Sequence, residues 1–376
     1  MNWHGLRIVL VGPLAPPAGG MANQTRQLAD LLAGEGACVE LVQVNLPYRP
    51  EWIARIRGAR ALFRLLPYLA RLWRASGRAD VMHVMANSGW SWDLFAAPAI
   101  WIASVRGVPV IVNYRGGEAE AFLARAAARV STSLRKAALL VLPSGYLREV
   151  FARHGMHGRI VPNIIDLERF SPGDRSRDVG APNLVVARNL EPIYGIDNAL
   201  RAFAIVRGRY PKASLAVAGS GPSEANLKAL AQSLAIGDAV KFTGQLDRSA
   251  MLSLYKSADI ALNPSTVDNM PNSVLEALAC GVPVVSTNVG GVPFLVTHGE
   301  TALLVSPGQP EAMAEAILKV IEDAPLRAHL VAKGLQAVQQ YSWAAVKLEL
   351  ARAYEDARAW RGCAASAPVG CGRGHG

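Results

Sequence analysis

The sequence lacks the cysteine pattern of a disulfide-rich or zinc-binding protein. Only four of its 376 residues are cysteines, and no two of them form a Cys-x-x-Cys pair. Cys38 and Cys280 stand alone, whereas Cys363 and Cys371 lie in a tail rich in glycine and alanine. A disulfide framework and a cysteine-based zinc site are therefore excluded. The pattern predicts a reduced cytoplasmic protein that holds no metal.

Long apolar runs are also missing. The longest candidate for a membrane span, Leu94 to Val105, is ended by Arg106 well before the roughly 18 apolar residues that a span requires. The apolar run near the N-terminus, LRIVLVG, is too short for the core of a signal peptide and predicts a first strand instead. Neither a membrane span nor a signal peptide is expected.

Charged residues are few, and lysine is scarce among them. Charged residues make up 18% and hydrophobic residues 51%, so the chain has enough apolar side chains for real cores and is not disordered. At roughly 150 residues per domain, 376 residues predict two domains. Only 8 of the 39 basic residues are lysine, and arginine suits phosphate groups.

Acidic residues are scarce in the first half of the chain. The net charge is +10, and counting on either side of Leu167 gives 19 basic and 10 acidic residues before it, but 20 and 19 after it. The excess positive charge is therefore N-terminal and predicts an anionic partner. No helix-turn-helix or RNA-binding signature accompanies the charge, so no nucleic-acid partner is expected.

Short apolar runs alternate with helical stretches along most of the chain. This rhythm predicts parallel sheets covered by helices, in a first domain over residues 1–167 and a second over 168–342. The stretch Ser171 to Pro182 is polar and rich in Pro and Gly. It predicts that the hinge between the two domains lies just before this stretch or within it. Residues 343–360 predict one long helix capped by Ser342, and residues 361–376 a disordered tail.

In parallel sheets, ligands bind beyond the carboxyl ends of the strands, so the loops after the strands are candidate sites. The first such loop contains Gly19 and Gly20 immediately before a helix, where backbone amides could bind phosphate, although Gly-Gly is more often only a turn. A later loop contains Gly219 and Gly221. Neither loop has the GxGxxG spacing with a downstream acid, so a dehydrogenase is disfavoured.

The strongest constellation is VDNMPNSVLEALACG, in which Asp268 lies in a loop and Glu276 about one turn inside the following helix. Asn272 or Ser273 can cap this helix, and Gly281 ends it. Carboxylates accept paired hydrogen bonds from sugar or ribose hydroxyls, which favours polyol recognition. The alternative is that Asp268 caps a turn and Glu276 is a solvated helix residue.

From about residue 161 to 343 the chain resembles the family 4 retaining glycosyltransferases. The resemblance rests on VPNIIDLERFSP, LVVARNLEPIYGIDNALRAFAIV, LAVAGSGP, FTGQL, YKSADIALNPS, the motif around Asp268 and the final YSW, with a looser match in PAGGMANQTRQLADLL and DVMHV. It implies the GT-B fold, an α/β architecture of two Rossmann-like parallel-sheet domains that face each other across a cleft. The last helix would cross back to the first domain. It also implies a nucleotide-diphosphate-sugar donor and neither metal nor cofactor.

The resemblance also assigns roles to individual residues. Arg188 matches the arginine that binds the diphosphate, which agrees with the ability of a guanidinium to bind two phosphate oxygens. Asp268 matches the acid that contacts the donor sugar, a position usually occupied by Glu, and Glu276 matches the acid that holds the ribose. The other residues matched to the donor and phosphate loops are Gly19, Gly20, Gly219, Gly221, Asn269, Met270, Pro271 and Asn272.

The chain departs from the family pattern at three places. Tyr194 replaces the usual lysine before Gly195, which removes a cation from the expected phosphate site. Arg115 lies where the family often has His-Gly, and it is a candidate catalytic residue that could restore that cation. Phe294 replaces a common Glu. An inactive relative therefore remains an alternative.

A basic amphipathic stretch runs from Glu51 to Asp80. Its arginines, from Arg57 to Arg78, fall within about 100° of helical arc, opposite a row of leucines and Trp73. Pro67 predicts a division into two helices. The arc fits docking on anionic lipid, or a solvated face whose apolar side packs into the domain, and both can hold at once.

These observations predict a metal-independent retaining glycosyltransferase. We expect it at the inner face of the plasma membrane, where it would use a lipid-linked or polysaccharide acceptor to build an envelope or exopolysaccharide. The alternatives are another GT-B enzyme, such as a nucleotide-sugar epimerase, and a non-catalytic polyanion- or lipid-binding relative. His83 is expected to be a buried or turn histidine at a strand end, and Cys280 a core residue.

Overall fold

The computed structural model describes residues 3–16, 19–46, 59–173 and 178–360, and these form two compact units. The first unit comprises residues up to Leu142, Val150–Ile160 and the chain from Leu348 onward. The second comprises Pro143–Glu149 and Val161–Lys347. The main boundary precedes the predicted one at residues 167–168, because Ile165 and Phe170 pack into the core of the second unit.

The first unit contains a six-stranded parallel sheet in the order β2-β1-β3-β4-β5-β6. Buried Val, Ile and Leu side chains fill the central strands, as expected for a sheet covered on both faces. Its strands are β1 (Arg7–Gly12), β2 (Cys38–Gln43), β3 (Val81–Ala86), β4 (Val110–Tyr114), β5 (Leu139–Leu142) and β6 (Arg159–Ile160). Its helices are α1 (Gly20–Gly34), α2 (Ala59–Ser76), α3 (Ala97–Val105) and α4 (Ala119–Leu134), and α5 (Gly145–Ala152) begins in the second unit.

The second unit contains another six-stranded parallel sheet, in the order β12-β11-β10-β7-β8-β9. Two clusters of buried apolar side chains form its core. Its strands are β7 (Asn183–Ala187), β8 (Ser214–Ala218), β9 (Val240–Gly244), β10 (Ile260–Asn263), β11 (Val284–Thr287) and β12 (Leu303–Val305). Its helices are α6 (Ile196–Arg209), α7 (Glu224–Ser233), α8 (Arg248–Ser257), α9 (Asn272–Ala279), α10 (Pro310–Glu322) and α11 (Ala324–Ala337).

The last described helix, α12 (Trp343–Ala359), begins in the second unit and continues in the first. The Ser342 hydroxyl accepts a hydrogen bond from the Ala345 amide, so the predicted cap is confirmed. In the first unit, Tyr354 of α12 is fully buried, and its ring lies edge-on to Trp3 at 5.2 Å between centroids. The predicted tail, residues 361–376, lies outside the described residues.

The predicted break at Pro67 is wrong, because α2 is one continuous helix from Ala59 to Ser76. A proline inside a helix removes the hydrogen bond to the carbonyl four residues earlier, here that of Phe63. Pro67 and Phe63 are both exposed, so water can bond to the carbonyl that loses its donor. Residues 51–58 of the basic stretch, including Arg57, lie outside the described residues.

Candidate active site

The second unit brings its candidate residues together at the carboxyl ends of two paired strands. β7 pairs with β10 in parallel, so the loops that follow both strands start at the same edge of the sheet. Arg188 follows β7 directly, and Asp268 lies in the loop after β10. These two residues are 80 positions apart in sequence, yet they form an ion pair.

The Arg188–Asp268 pair is largely buried, with 11% of the arginine side chain and 9% of the aspartate side chain exposed. The guanidinium donates from one terminal nitrogen to the Asp268 carboxylate. Its central carbon lies 4.3 Å from the centroid of the Tyr194 ring, within cation–π range. Within the described part of the chain, the Arg188 Nε hydrogen has no acceptor. The pair therefore orients the guanidinium without using all of its donors.

Tyr194 is held in place because its turn is bonded to the loop that contains Asp268. It ends a short 3₁₀ turn, and the carbonyl of Ile193 accepts hydrogen bonds from the amide and hydroxyl of Thr266 at 2.8 and 3.0 Å. The Asp268 carbonyl accepts from the Gly291 amide at 2.9 Å. A Cβ on Gly291 would overlap the Asn269 carbonyl oxygen, so only glycine allows this approach. Three loops are thus fixed relative to one another.

The start of α9 differs from the predicted capping. Neither Asn272 nor Ser273 caps the helix, because Pro271 occupies the N-cap position and its side chain makes no capping hydrogen bond. The Asn272 side chain instead accepts a hydrogen bond from Asn163 at 2.7 Å. Gly281 follows the end of the helix with φ +67, as predicted. Asn269, Met270 and Pro271 are buried along the loop.

Glu276 lies in α9 beside Tyr255, whose hydroxyl bonds to it and also donates to the Ser273 carbonyl at 3.2 Å. Burial raises the pKa of Glu276 to about 7, although the Tyr255 hydrogen bond and Arg248 oppose the rise. Glu276 is only partly exposed and is bonded to Tyr255, so it is not a fully solvated helix residue. Tyr255 was not assigned a role from sequence, although it lies in one of the motifs of the resemblance.

Gly219 and Gly221 lie against backbone in the structure. Gly219 has φ +145, and a Cβ there would overlap the Arg188 carbonyl oxygen. A Cβ on Gly221 would likewise overlap the Leu190 carbonyl oxygen. The two glycines let the loop after β8 approach the loop after β7. Their direct contact with a substrate stays a prediction.

Phe294, at the position where the family commonly has Glu, is half exposed and contacts the first turn of α5. A Cβ on Gly145 would clash with the Phe294 ring, and the ring centroids of Phe294 and Tyr146 are 6.5 Å apart. The substitution therefore exchanges a carboxylate for an aromatic contact with Tyr146 within the second unit. Gly145 and Tyr146 belong to the segment Pro143–Glu149 of the second unit.

The remaining candidates lie in the first unit. Gly20 begins α1 and Gly19 precedes it, so both are at a helix N-terminus as predicted. Arg115 follows β4, and its Nε donates to the Asn113 side chain at 3.1 Å. Burial lowers the pKa of Arg115 to about 10, so the guanidinium is still charged at neutral pH. His83 is buried as predicted, but it lies within β3 rather than at its end.

The described residues contain no group of three or more His, Cys, Asp or Glu side chains arranged to hold a metal ion. None of the helices in residues 3–16, 19–46, 59–173 and 178–360 is long and apolar enough to cross a membrane. Cys280 is buried in the core, as predicted, and Cys38 is exposed.

Two units with parallel sheets, and an arginine–carboxylate pair at the strand ends of the second, define a two-domain α/β protein of the GT-B class. Two family profiles cover most of the chain. The profile described as "Glycosyltransferase Family 4" matches residues 18–169, and that described as "Glycosyl transferases group 1" matches residues 171–337. The chain belongs to this glycosyltransferase family, which confirms the resemblance seen in the sequence.

Among curated relatives, the chain is similar to a D-inositol 3-phosphate glycosyltransferase of Corynebacterium jeikeium. The two are 33% identical over 215 residues, which is 53% of this chain and 51% of the relative. The chain thus spans about half the length of this and similar curated relatives.

Solved structures confirm the fold. A sucrose-phosphate synthase from Thermosynechococcus elongatus matches with a TM-score of 0.76 and 21% identity, over 94% of this chain and 99% of that one. HepE of Anabaena, solved in complex with UDP and glucose, matches with a TM-score of 0.72 and 17% identity. The match covers 93% of this chain and 99% of HepE. At these identities the likeness establishes the GT-B fold alone.

Proposed function

We propose that the protein is a retaining glycosyltransferase that moves a sugar from a nucleotide diphosphate to a lipid-linked or polysaccharide acceptor in envelope or exopolysaccharide synthesis. The observation that supports this most strongly is the buried Arg188–Asp268 pair at the ends of β7 and β10. A structural neighbour that binds UDP and glucose supports the class of donor.

In this proposal Arg188 binds the donor diphosphate. None of the described residues accepts a hydrogen bond from its Nε, so this hydrogen can bond to a ligand. Tyr194 and Asp268 hold the guanidinium plane. An arginine so oriented can stabilise the negative charge that develops on the leaving group. Asp268 and the Asn269–Asn272 loop would contact the sugar, and Glu276 the ribose. Gly19, Gly20, Gly219 and Gly221 would admit substrate close to backbone, and Arg115 would bind an anionic substrate group.

Retention of configuration needs no dedicated protein base in this proposal. The bond between the anomeric carbon and the diphosphate oxygen breaks, and the diphosphate takes the electron pair. The acceptor oxygen bonds to the anomeric carbon on the same face, and its proton passes to the departing diphosphate. No step requires a metal ion or a cofactor, so the charge would be balanced by arginine and backbone amides.

The acceptor side of the proposal rests on α2. Its buried side is formed by Tyr68, Leu72 and Ala75. The apolar side packs into the unit only in part, because Leu66 and Trp73 are 57% and 48% exposed. Neighbouring strands and helices cover only part of the wide apolar arc.

We call the exposed side the outer face of α2, formed by Phe63, Leu66, Arg71, Trp73 and Arg74. Apolar and aromatic side chains beside arginines form the pattern that binds at the surface of an anionic bilayer. The Trp73 ring also lies 4.8 Å from the Arg106 guanidinium. We therefore propose a peripheral location on the inner face of the plasma membrane.

The proposal is tested with a panel of nucleotide sugars based on UDP and GDP, each with and without EDTA. Donor turnover with release of the free nucleoside diphosphate, unaffected by EDTA, is expected for at least one donor. Arg188→Ala should lower that turnover at least a hundredfold, since loss of one charge-stabilising contact has about this effect. Arg201→Ala, an exposed arginine of α6, is the matched control and should not change it.

The outcomes separate the alternatives. A nucleotide sugar that returns with one inverted stereocentre and no free diphosphate would identify an epimerase. Binding of nucleoside diphosphates without turnover of any donor would identify a non-catalytic relative. Product of inverted anomeric configuration would contradict the retaining mechanism.

A further inference from the structure

A chain of buried polar side chains in the first unit joins Arg115 to the last helix. Arg115 Nε donates to Asn113 Oδ1 at 3.1 Å, and Asn113 Nδ2 lies 3.1 Å from His83 Nε2. His83 Nδ1 lies 2.9 Å from the Tyr354 hydroxyl. The chain thus crosses from the end of β4 through β3 to α12.

The direction of every hydrogen bond in this chain is fixed by the arginine. A guanidinium can only donate, so the Asn113 oxygen must face Arg115 and its amide nitrogen must face His83. An amide nitrogen also only donates, so His83 Nε2 must accept and cannot hold a proton. The neutral ring then holds its proton on Nδ1 and donates it to the Tyr354 hydroxyl. Burial lowers the pKa of His83 to about 3, which keeps this ring neutral.

The burial of these groups makes the arrangement costly to disturb. His83 and Tyr354 are fully buried, and Asn113 is 1% exposed. If the Asn113 amide were reversed, its NH₂ would face the Arg115 N–H, and both of these donors would lack an acceptor there. One orientation of Asn113 is therefore strongly favoured, and with it one position of the Arg115 Nε.

Arg115 is the member of the chain that can meet a ligand. It is only partly buried and follows β4, at the end of the sheet where ligands bind in parallel α/β folds. Its backbone amide donates to the Ala86 carbonyl at 2.9 Å, so both its backbone and its side chain are held. A guanidinium held in this way is preorganised for an oxyanion.

We propose that Asn113, His83 and Tyr354 are positioning residues that hold the Arg115 guanidinium ready for an anionic group of a substrate, most simply a phosphate. This inference rests on the proposed function for the identity of the substrate. The hydrogen-bond chain itself is a property of the protein alone.

The first experiment needs no turnover. ¹⁵N NMR of the full chain, assigned by comparison with His83→Gln, should show His83 protonated on Nδ1 and unprotonated on Nε2 from pH 5 to pH 9. A protected Arg115 Nε–H signal should be present and should be lost in Asn113→Leu. A His83 ring protonated on Nε2, or an Arg115 signal unchanged in Asn113→Leu, would overturn the proposal.

The second experiment is a double-mutant cycle on turnover of UDP-glucose, or of the panel donor that is turned over. Arg115→Ala and Asn113→Leu should each lower kcat/KM about tenfold or more, and the double variant should fall no further than Arg115→Ala. Tyr354→Phe, which keeps the ring and its contact with Trp3, should lower kcat/KM by a smaller factor. Multiplicative effects of the two single variants would contradict the positioning role.

The matched control is Tyr68→Phe. Tyr68 is fully buried in the same unit, and its hydroxyl donates to the Phe95 carbonyl at 2.7 Å, outside the hydrogen-bond chain. It should lower the melting temperature about as much as Tyr354→Phe but leave kcat/KM unchanged. If no donor is turned over, the proposed function fails while the NMR result still decides the hydrogen-bond chain.

Discussion

The guanidinium carbon of Arg188 lies 4.3 Å from the centroid of the Tyr194 ring, and a terminal nitrogen of the same guanidinium donates to Asp268. Tyr194 is the residue that departs from the family pattern described above, in which a lysine is expected before Gly195. An ammonium at this position would repel the guanidinium, whereas the face of a phenol attracts it. The exchange gives up one positive charge but orients the remaining one.

This arrangement predicts that the ring of Tyr194 matters and its hydroxyl does not. Tyr194→Phe should bind UDP as the wild type does, whereas Tyr194→Leu should bind it roughly 3- to 30-fold more weakly, the range expected for a lost cation–π contact. Isothermal titration with UDP measures both. Equal weakening in the two variants would show that the stacking does not orient Arg188.

Arg188→Ala should also lower stability, because it leaves the Asp268 carboxylate buried without its partner. Breaking a buried pair in this way costs about 3 kcal/mol. The double variant Arg188→Ala/Asp268→Asn should recover part of the loss, since the buried charge is removed. Urea unfolding measures the three free energies of unfolding. A double variant less stable than Arg188→Ala would contradict this account.

The two carboxylates should divide their roles, since Asp268 lies in the loop and Glu276 within α9. Asp268→Asn should weaken discrimination between donor sugars, whereas Glu276→Gln should also weaken binding of the bare nucleoside diphosphate. Titration of each variant with UDP and with the UDP-sugar panel separates the two effects. The assignment would be wrong if both variants lost the same affinity for bare UDP.

Glu276 should make stability depend on pH in an unusual direction. Its folded pKa of about 7 is above the ordinary glutamate value of 4.5, so between these pH values the folded state binds more protons than the unfolded state. The contribution of Glu276 to the free energy of unfolding therefore decreases as pH rises from about 4.5 to 7. Glu276→Gln should become more stable relative to wild type as pH rises from 5 to 8, as measured by melting temperature. A constant difference would contradict the raised pKa.

The outer face of α2 should bind vesicles that contain anionic phospholipid. Arg71→Gln/Arg74→Gln should weaken binding about 30-fold, at about 1 kcal/mol for each basic residue near the headgroups, and salt should weaken it further. Arg26→Gln/Arg125→Gln removes the same charge from exposed positions on α1 and α4, and should have little effect. Vesicle binding is measured by flotation. If both pairs of substitutions weakened binding equally, the net charge of the protein, and not the outer face of α2, would account for the binding.

The sheets could be predicted from sequence because parallel strands buried on both faces are short apolar runs. LRIVLVG contains β1, VPVIVNY contains β4, and NLVVARN contains β7. The exposure of Leu66 and Trp73 could not be predicted in the same way. Helical periodicity identifies a wide apolar arc on α2, but not which part of it the neighbouring elements cover.

Candidate site residues could be proposed from sequence where a motif is continuous. Arg188, Asp268 and Glu276 lie in motifs that can be recognised, but the ion pair between the first two depends on the pairing of β7 with β10. The link from His83 to Tyr354 spans 271 residues and has no local signature. The capping prediction at Asn272 failed because Pro271 occupies the N-cap position, and the Asn272 side chain instead accepts from Asn163, 109 residues earlier.

The first unit is assembled from three separate stretches of the chain, and the last of them, from Leu348 onward, is synthesised after nearly all of the second unit. Trp3 and His83 emerge from the ribosome long before Tyr354, the residue of α12 that packs against both. At roughly 5 to 20 residues per second, the 271 residues between His83 and Tyr354 take about 15 to 50 s to synthesise. Val161–Lys347 is complete before the part of α12 that belongs to the first unit, from Leu348 onward, has been synthesised. The second unit is thus expected to finish folding first. Until Tyr354 has been synthesised, Trp3 and His83 lack the ring that packs against them and stay accessible to chaperones.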